Sequence, residues 1–304
     1  MRAKITVIIP FRNALSELPA LVSALERQTS PDAFDVIWID DASKDGGSAW
    51  LQKRLPAGWR LLVQPERRGA YAARNAGLRV ASAEFVAFTD VDCRPHEDWI
   101  ERGLAWLLAA PRVAGRVQLE LSPSPSTPEL VDAGRFFRQR RYVEEGFGAT
   151  ANLFVERRVF HDVGGFDERL RSGGDYEFGQ RCSLAGIPIR YADDVVVSHA
   201  ARSTLRELLA KSERVGFGTG QLIRRRGISR ERLAARITDR FALAGQRGTT
   251  ERQVPIAAGR RQFFVKGVHL LVLFATIAGG LRGFLFPGPT ESADRHDHLK
   301  KGFA

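Results

Sequence analysis

Short apolar runs alternate with helix-like stretches over the first hundred residues, and this alternation limits the possible folds more than any other feature of the chain. Four runs have the length and composition of buried strands: Ile5–Ile9, Val36–Ile39, Arg60–Val63 and Glu84–Phe88. Helical patterns lie between or after them at Leu15–Gln28, Ser48–Leu55, Ala70–Ala81 and Asp98–Leu108. Repeated strand–helix units predict an α/β protein with a mixed, mostly parallel sheet flanked by helices.

The next hundred residues continue this pattern less regularly. The Ser- and Pro-rich segment from Leu121 to Pro128 cannot hold a helix or a sheet ladder, so we expect an exposed loop there. A helix is predicted near Glu129–Arg141, and mixed strand and helix signals run from Ala149 to His199. These signals predict that the first domain extends to about residue 200.

The charge of the chain is concentrated in its last third. The formal net charge is +11. Residues 1–200 hold 26 Lys and Arg against 27 Asp and Glu, whereas residues 201–304 hold 20 against 8, a net charge of +12. A near-neutral body with a basic helical extension indicates that the extension contacts an anionic surface, which could be lipid headgroups, nucleic acid or an acidic polymer.

The basic extension contains an apolar segment at residues 262–286. Only 15 uncharged residues separate Lys266 from Arg282. They would form about 22 Å of helix at about 1.5 Å per residue, against a hydrocarbon core of about 30 Å. Three interpretations stay open: a membrane span that snorkelling of Lys266 and Arg282 makes long enough, helices that lie at a membrane interface, and an ordinary helix packed on the body.

Cysteine usage and the N-terminal residues predict the compartment. The two cysteines, Cys93 and Cys182, cannot form a disulfide framework. The N-terminal residues run directly into the first predicted strand without a signal-peptide core,. We expect a cytoplasmic protein, held at the inner face of the plasma membrane if the extension binds lipid.

Acidic residues follow the fourth predicted strand. Asp90 and Asp92 come directly after Thr89, at the carboxyl end of a parallel strand, where open α/β sheets bind ligands. Carboxylate oxygens suit Mg²⁺ or Mn²⁺, which substrate phosphates and water then complete. Alone, such a pair is more typical of a solvated loop. The polar ends of the first two strands at the same sheet edge favour a metal–diphosphate site instead.

Four motifs, in this order, resemble those of family-two glycosyltransferases of the GT-A fold. They are Val-Ile-Ile-Pro-Phe-Arg-Asn at 7–13, Asp-Asp-Ala-Ser-Lys-Asp-Gly at 40–46, Arg-Gly and then Ala-Arg-Asn-Ala-Gly within 68–77, and Thr-Asp-Val-Asp at 89–92. The resemblance implies a Rossmann-like domain over residues 1–200, with a nucleotide-sugar half at 1–120 and an acceptor half at 121–200.

The resemblance also implies roles for individual residues. The nucleoside would be held by Pro10, Phe11, Asn13, Asp40 and Asp41. The donor diphosphate would lie near Gly69 and Arg74, the metal would be bound by Asp92 with Asp90 helping to hold metal or ribose, and His199 would be a further metal ligand. The alternatives are a surface helix for Arg74, a structural histidine for His199 and a core position for Trp99, which could otherwise touch a sugar.

An acceptor-side segment matches the same family. Gly-Gly-Phe-Asp-Glu at 164–168 and Gly-Gly-Asp-Tyr-Glu at 173–177 place Asp175 where the resemblance implies the catalytic base. A helix N-terminus favours its ionised form. Gly174 departs from the commoner pattern, in which a first acidic residue precedes this one. The alternative is that Asp175 only caps its helix.

The function expected from these residues is metal-dependent, inverting transfer of a sugar from a nucleotide-diphosphate sugar to a saccharide or lipid-linked acceptor, in cell-surface polysaccharide or glycolipid synthesis. A nucleotidyltransferase is the first alternative, weakened because residues 10–13 are not a Gly-rich phosphate loop,. A non-enzymatic nucleic-acid-binding protein is the second, weakened by the neutral body. We expect no nucleic-acid partner.

Overall fold

The computed structural model describes residues 3–30, 32–226 and 260–286. Its strands are β1 (Ile5–Phe11), β2 (Phe34–Asp40), β3 (Arg60–Val63), β4 (Phe85–Thr89), β5 (Cys93–Pro95), β6 (Arg112–Glu120), β7 (Asn152–Glu156) and β8 (Arg190–Ala200). Its helices are α1 (Leu18–Glu26), α2 (Gly47–Gln52), α3 (Ala70–Val80), α4 (Trp99–Leu107), α5 (Thr127–Arg135), α6 (Gln139–Glu144), α7 (Arg158–Val163), α8 (Gly174–Leu184), α9 (Leu205–Arg226) and α10 (Arg260–Leu285).

All eight strands belong to one mixed sheet with the order β3-β2-β1-β4-β7-β6-β8-β5. The first four in this order are parallel to one another, whereas β7 runs antiparallel between β4 and β6. The strands β1, β2 and β4 therefore end at one edge, and the α/β prediction is confirmed.

The sheet must curl strongly to accommodate β5. Only the three residues 90–92 connect β4 to β5, a step of about 14 Å when fully extended. Three strands lie between them in the sheet order, which in a flat sheet corresponds to about 19 Å. The short connection therefore brings the two ends of the sheet towards each other around the acidic segment.

Two apolar clusters cover the two faces of the sheet. In β1 every residue is buried. Ile5, Val7 and Ile9 pack in the cluster that includes residues of α1 and α4, and Ile8 packs in the cluster that includes residues of α3, α7 and α8. This double burial explains why the strands appear as continuous apolar runs. Trp99 is fully buried and donates a hydrogen bond to Asn152 Oδ1 at 2.9 Å, so it is a core residue.

The helix predicted near Glu129–Arg141 is wrong as a single element. Helix α5 begins earlier, at a capping box in which Ser126 and Glu129 exchange hydrogen bonds,. It ends before Phe137, which has a φ of 56°, a conformation that a bulky residue adopts only when its surroundings require it. The ring of Phe137 packs on His199 with centroids 4.9 Å apart. Tertiary packing therefore splits the expected helix into α5 and α6.

Helices α9 and α10 are parallel neighbours that meet through glycines. A Cβ atom at Gly216 would lie 2.0 Å from the Thr276 carbonyl oxygen, and one at Gly283 would lie 2.0 Å from that of Phe217. Backbones this close need residues without side chains at the contact. Val272 of α10 is buried against Leu208 of α9, so α10 packs on the body.

Candidate active site

The two carboxylates at the end of β2, Asp40 and Asp41, are held by backbone amides and a serine hydroxyl. Asp40 is buried; it accepts a hydrogen bond from the Ser43 amide at 2.8 Å and another from the Ser48 hydroxyl. Asp41 accepts hydrogen bonds from the amides of Arg68 at 2.6 Å and Gly69 at 3.0 Å. These carboxylates fix the loops at the sheet edge, and their contact with a nucleoside stays a prediction.

The β1 end is joined to the same loops. Asn13 has a φ of 48°; its amide donates to Ser43 Oγ and its Oδ1 accepts from the Lys44 amide, each at 2.8 Å. Pro10 and Phe11 are buried, and Phe11 lies edge-on to Trp38. Of the three residues near the β1 end that were predicted to hold the nucleoside, only Asn13 is exposed. Pro10 and Phe11 support it from the core.

Arg74 is buried at the floor of the site, which excludes the surface-helix alternative. Its side chain is 4% exposed, and its Nη2 lies 2.5 Å from Asp90 Oδ1. Its Nε is buried with no hydrogen-bond partner among the described residues. Gly69, with a φ of 93°, lets the chain turn into α3, the helix that carries this arginine, since other residues rarely adopt that conformation.

Asp92 and His199 are brought together by the pairing of β5 with β8, which places Cys93 opposite His199. His199 Nε2 lies 3.2 Å from Asp92 Oδ2, with the Asp92 side chain 46% exposed. Burial would raise the pKa of Asp92, but the hydrogen bond and charge of His199, with Arg202 nearby, outweigh it and lower the pKa to about 2. Asp92 is the accessible carboxylate of this pair, whereas His199 is buried.

The chemistry of this pair fits a divalent ion. His199 Nδ1 lies 2.6 Å from the Ala200 carbonyl oxygen, so it carries the proton, as in many histidines that bind metals through Nε2. With its proton on Nδ1, the ring would offer its Nε2 lone pair to a divalent ion that Asp92 also binds.

The three metal ligands predicted from the sequence do not converge. Within the described residues, no group of three or more His, Cys, Asp and Glu side chains is arranged to hold a metal. Asp90 pairs with Arg74 instead. Asp92 and His199 could therefore supply two protein ligands, and substrate phosphate and water would supply the others.

Asp175, in the first turn of α8, lies close enough to Arg74 and Asp90 for the charges of both to act on it. The Tyr71 hydroxyl lies 3.3 Å from its Oδ1, which also accepts the Tyr176 amide at 3.1 Å. Burial raises the pKa of Asp175, and Arg74 only partly offsets this. The helix N-terminus was expected to favour the ionised form, but burial outweighs it. Asp90, Arg74, Tyr71 and Asp175 form a polar series across the site.

Three side chains hold the acceptor segment, residues 166–173 before α8, through contacts that were not predicted from the sequence. Asn75 exchanges two hydrogen bonds with the backbone of Phe166, at 2.8 and 2.9 Å. Arg181 pairs with Glu177 within α8 and donates to the Gly165 carbonyl at 2.5 Å. The signals for these contacts were the position of Asn75 directly after Arg74 and the four-residue spacing of Glu177 and Arg181.

Helix α9 closes the other side of the acceptor segment. Gln221 accepts a hydrogen bond from the Arg171 amide at 3.0 Å and donates to the Arg169 carbonyl at 3.2 Å. Arg225 pairs with Asp167 at 2.9 Å. The basic extension therefore begins with a helix that contacts the catalytic body directly.

Comparison with known proteins identifies the class of enzyme. Residues 6–164 match glycosyl transferase family 2. The chain belongs to this family, and it is a glycosyltransferase with a nucleotide-sugar donor. The expected family and fold are confirmed, and the glycosyltransferase interpretation is selected over the nucleotidyltransferase and nucleic-acid-binding alternatives.

Two relatives and one solved structure illustrate the similarity. The chain is 33% identical over 224 residues to glycosyltransferase AglE of Haloferax volcanii, covering 72% of this chain and 73% of AglE. It is 30% identical over 229 residues to the pre-mycofactocin glycosyltransferase of Mycobacterium tuberculosis, covering 72% of this chain but 47% of that protein. The fold is similar to that of the mannosyltransferase PcManGT from Pyrobaculum calidifontis, solved with GDP-Man and Mn²⁺, with a TM-score of 0.62, 19% identity, and 94% and 88% of the two chains covered.

Proposed function

We propose that this protein transfers a sugar from a nucleotide-diphosphate sugar to a hydroxyl of a saccharide or lipid-linked acceptor, with inversion at the anomeric carbon. The observation that carries the proposal is the polar series from Asp90 through Arg74 and Tyr71 to Asp175. It provides a donor-side carboxylate, a buried cation and an acceptor-side carboxylate within one site. The biological context we propose is the synthesis of cell-surface polysaccharide or glycolipid.

Asp175 is the proposed catalytic base. Its pKa is raised by burial, which strengthens it as a proton acceptor near neutral pH. The acceptor O–H proton passes to Asp175 while the acceptor oxygen forms the bond to the anomeric carbon. The bond from that carbon to the diphosphate oxygen breaks, and its electron pair leaves with the diphosphate. A single displacement of this kind inverts the configuration.

Arg74 is the proposed contact for the donor diphosphate. Its buried Nε has no hydrogen-bond partner among the described residues, which is costly unless a ligand accepts that hydrogen bond. Asp92 and His199 would hold Mn²⁺ or Mg²⁺ beside it. A divalent ion bound there would neutralise negative charge on the leaving diphosphate.

A ligand panel tests the donor and metal assignments. Thermal unfolding would be followed with GDP, UDP and their sugars, with and without Mn²⁺, starting from GDP-mannose because PcManGT was solved with it. We expect a metal-dependent rise in Tm for one nucleotide, because a ligand that binds only the folded state stabilises it.

Turnover of the donor found by the panel tests the residues. We expect Asp92→Ala and Asp175→Asn each to lower turnover by about 100-fold or more. Asp32→Asn, which alters an exposed pair with Lys4, is the matched control. Wild-type rates in both site variants, or a panel without any stabilising nucleotide, would contradict the proposal.

A second proposal is that α10 attaches the enzyme peripherally to an anionic membrane. The stretch Phe264–Leu285 is long and apolar enough to cross a bilayer, and most of it is exposed. Its exposed apolar side chains include Phe264, Leu270, Leu271, Phe274, Ile277, Leu281 and Leu285. From Leu271 to Leu285 they recur every three or four residues, which places them on one side of the helix.

Two observations favour a position of α10 at the membrane interface: the burial of its opposite side against the body, and the positive charge of the extension. Val272, Gly279 and Gly283 are buried against the body, so one face of α10 is already occupied. The net charge of +12 over residues 201–304 favours anionic headgroups. Because α9 contacts both α10 and the acceptor segment, attachment would bring the site close to a lipid-linked acceptor.

Flotation of the full chain on liposomes tests this attachment. We expect binding to phosphatidylglycerol vesicles and much weaker binding to phosphatidylcholine vesicles. Phe274→Glu and Leu281→Glu should abolish it, whereas Leu108→Glu and Leu184→Glu, which alter exposed leucines elsewhere, should not. Equal loss in all four variants, or none in the α10 variants, would contradict the proposal.

A further inference from the structure

Gly174 leaves no room for a side chain because Tyr71 fills the adjacent space. A Cβ atom at Gly174 would lie 2.8 Å from both Cε2 and Cζ of the Tyr71 ring. Contacts this short do not occur in relaxed structures, so any other residue at this position would force the ring to move. The ring of Tyr71, on α3, therefore explains why position 174 holds a glycine and not the acidic residue that commonly precedes this aspartate.

The Tyr71 ring is held in place by its surroundings. Its side chain is buried, it stacks on Phe166 with centroids 5.8 Å apart, and the Arg74 guanidinium lies 5.6 Å from its centroid. A ring packed in this way cannot move without opening the cluster around it. The space beside Gly174 is thus a fixed feature of the site.

The Tyr71 hydroxyl contacts the proposed base. Burial, and then the charge of Asp175, raise the pKa of Tyr71 far above its usual value. The hydroxyl therefore stays protonated and donates a hydrogen bond to Asp175 Oδ1 at 3.3 Å. The Tyr176 amide also donates to Oδ1. Oδ2 is therefore the oxygen of Asp175 that can take the acceptor proton.

We propose that Tyr71 is a positioning residue for Asp175, and that Gly174 is the glycine this arrangement requires. The phenol ring occupies the space that a side chain at position 174 would fill, and its hydroxyl orients the carboxylate. The catalytic consequence rests on the proposed role of Asp175 as base. The contact between Tyr71, Gly174 and Asp175 can be tested without any substrate.

The first experiment measures coupling between positions 71 and 174 by thermal unfolding. We expect Gly174→Ala to lower Tm by about 5 °C in the wild-type protein, as overpacking does in a chain of this size. In the Tyr71→Ala or Tyr71→Leu background the same change should have little effect. Gly179→Ala, on the same helix but against Phe147, is the matched control. It should lower Tm by the same amount in the wild-type and the Tyr71 backgrounds.

The second experiment follows the Asp175 carboxyl by ¹³C NMR, assigned through its absence in Asp175→Asn. The titratable and charged side chains that act on Asp175 are Tyr71, Arg74 and Asp90. Tyr71→Phe keeps the ring and removes one donor to the carboxylate, so we expect the Asp175 titration to move upward. Tyr191→Phe, which removes a remote bond to Asp193, should leave it unchanged.

Two results would overturn the proposal: equal Tm losses for Gly174→Ala with and without the Tyr71 ring, or an Asp175 titration unaffected by Tyr71→Phe. The outcomes for the proposed function are separate. If Asp175→Asn transferred sugar at the wild-type rate, the base assignment would fail. The two substrate-free measurements would still decide whether Tyr71 holds that carboxylate.

Discussion

Replacing Arg74 by methionine tests the donor side of the site most directly. Methionine keeps an unbranched apolar side chain on α3 and removes the charge that pairs with Asp90 at 2.5 Å. Breaking a buried ion pair costs about 3–5 kcal/mol. Because the Asp90 side chain is 33% exposed and water can replace part of the interaction, we expect a loss of about 2 kcal/mol, or a fall in Tm of about 4–8 °C.

The effect on ligand binding should be separate from this stability loss. One charge-assisted hydrogen bond to the diphosphate contributes about 1.5–3 kcal/mol, which corresponds to a 10- to 100-fold weaker Kd. Isothermal titration calorimetry with the nucleoside diphosphate found in the panel, at a temperature where both proteins are folded, measures it.

The control lies on the same helix. Arg79→Met removes an exposed arginine that pairs with Glu168 at 3.5 Å, so it should leave both Tm and nucleotide affinity nearly unchanged. If Arg74→Met bound the nucleotide as tightly as Arg79→Met does, Arg74 would not contact the diphosphate.

Three further outcomes are expected. Asp175→Asn should raise Tm at pH 7, because burial raises the pKa of Asp175 in the folded state, and the gain should vanish below about pH 4, where the carboxyl is protonated in both states. Lys211→Met should raise Tm most at pH 6 and least at pH 10, because burial lowers the pKa of Lys211 to about 7,. Thermal unfolding measured across this pH range tests the Asp175 and Lys211 variants. Gly115→Ala should lower Tm by more than about 5 °C, since its Cβ would lie 2.3 Å from the Val195 carbonyl oxygen,.

The strands that carry the donor-side motifs could be predicted from the sequence because their signals are local. The apolar runs at 5–9, 36–39, 60–63 and 84–88 lie within or overlap β1 to β4. Their parallel order then placed Asp40 and Asp90 at one sheet edge. Two of the four strands on the other side of β4, namely β5 and β6, had no such signal. Strand β5 has only three residues, and β6 is interrupted by a register shift after Gly115.

The helix boundaries show the same limit. Ser126 and Glu129 carry a capping signal that is readable in the sequence,. The break at Phe137 depends on the ring of His199, 62 positions away in the chain. No pattern within a helix-length window contains that information.

The sequence established the family, the order of the polar strand ends and the residue types available for chemistry, because each of these is written in short, contiguous stretches. It did not establish which carboxylates are already engaged. Asp41 is held by the amides that lead into α3, Asp90 by Arg74, and Asp175 by a tyrosine 104 positions away. These partners depend on strand register, sheet curl and helix packing, which arise only when distant segments compete for the same space.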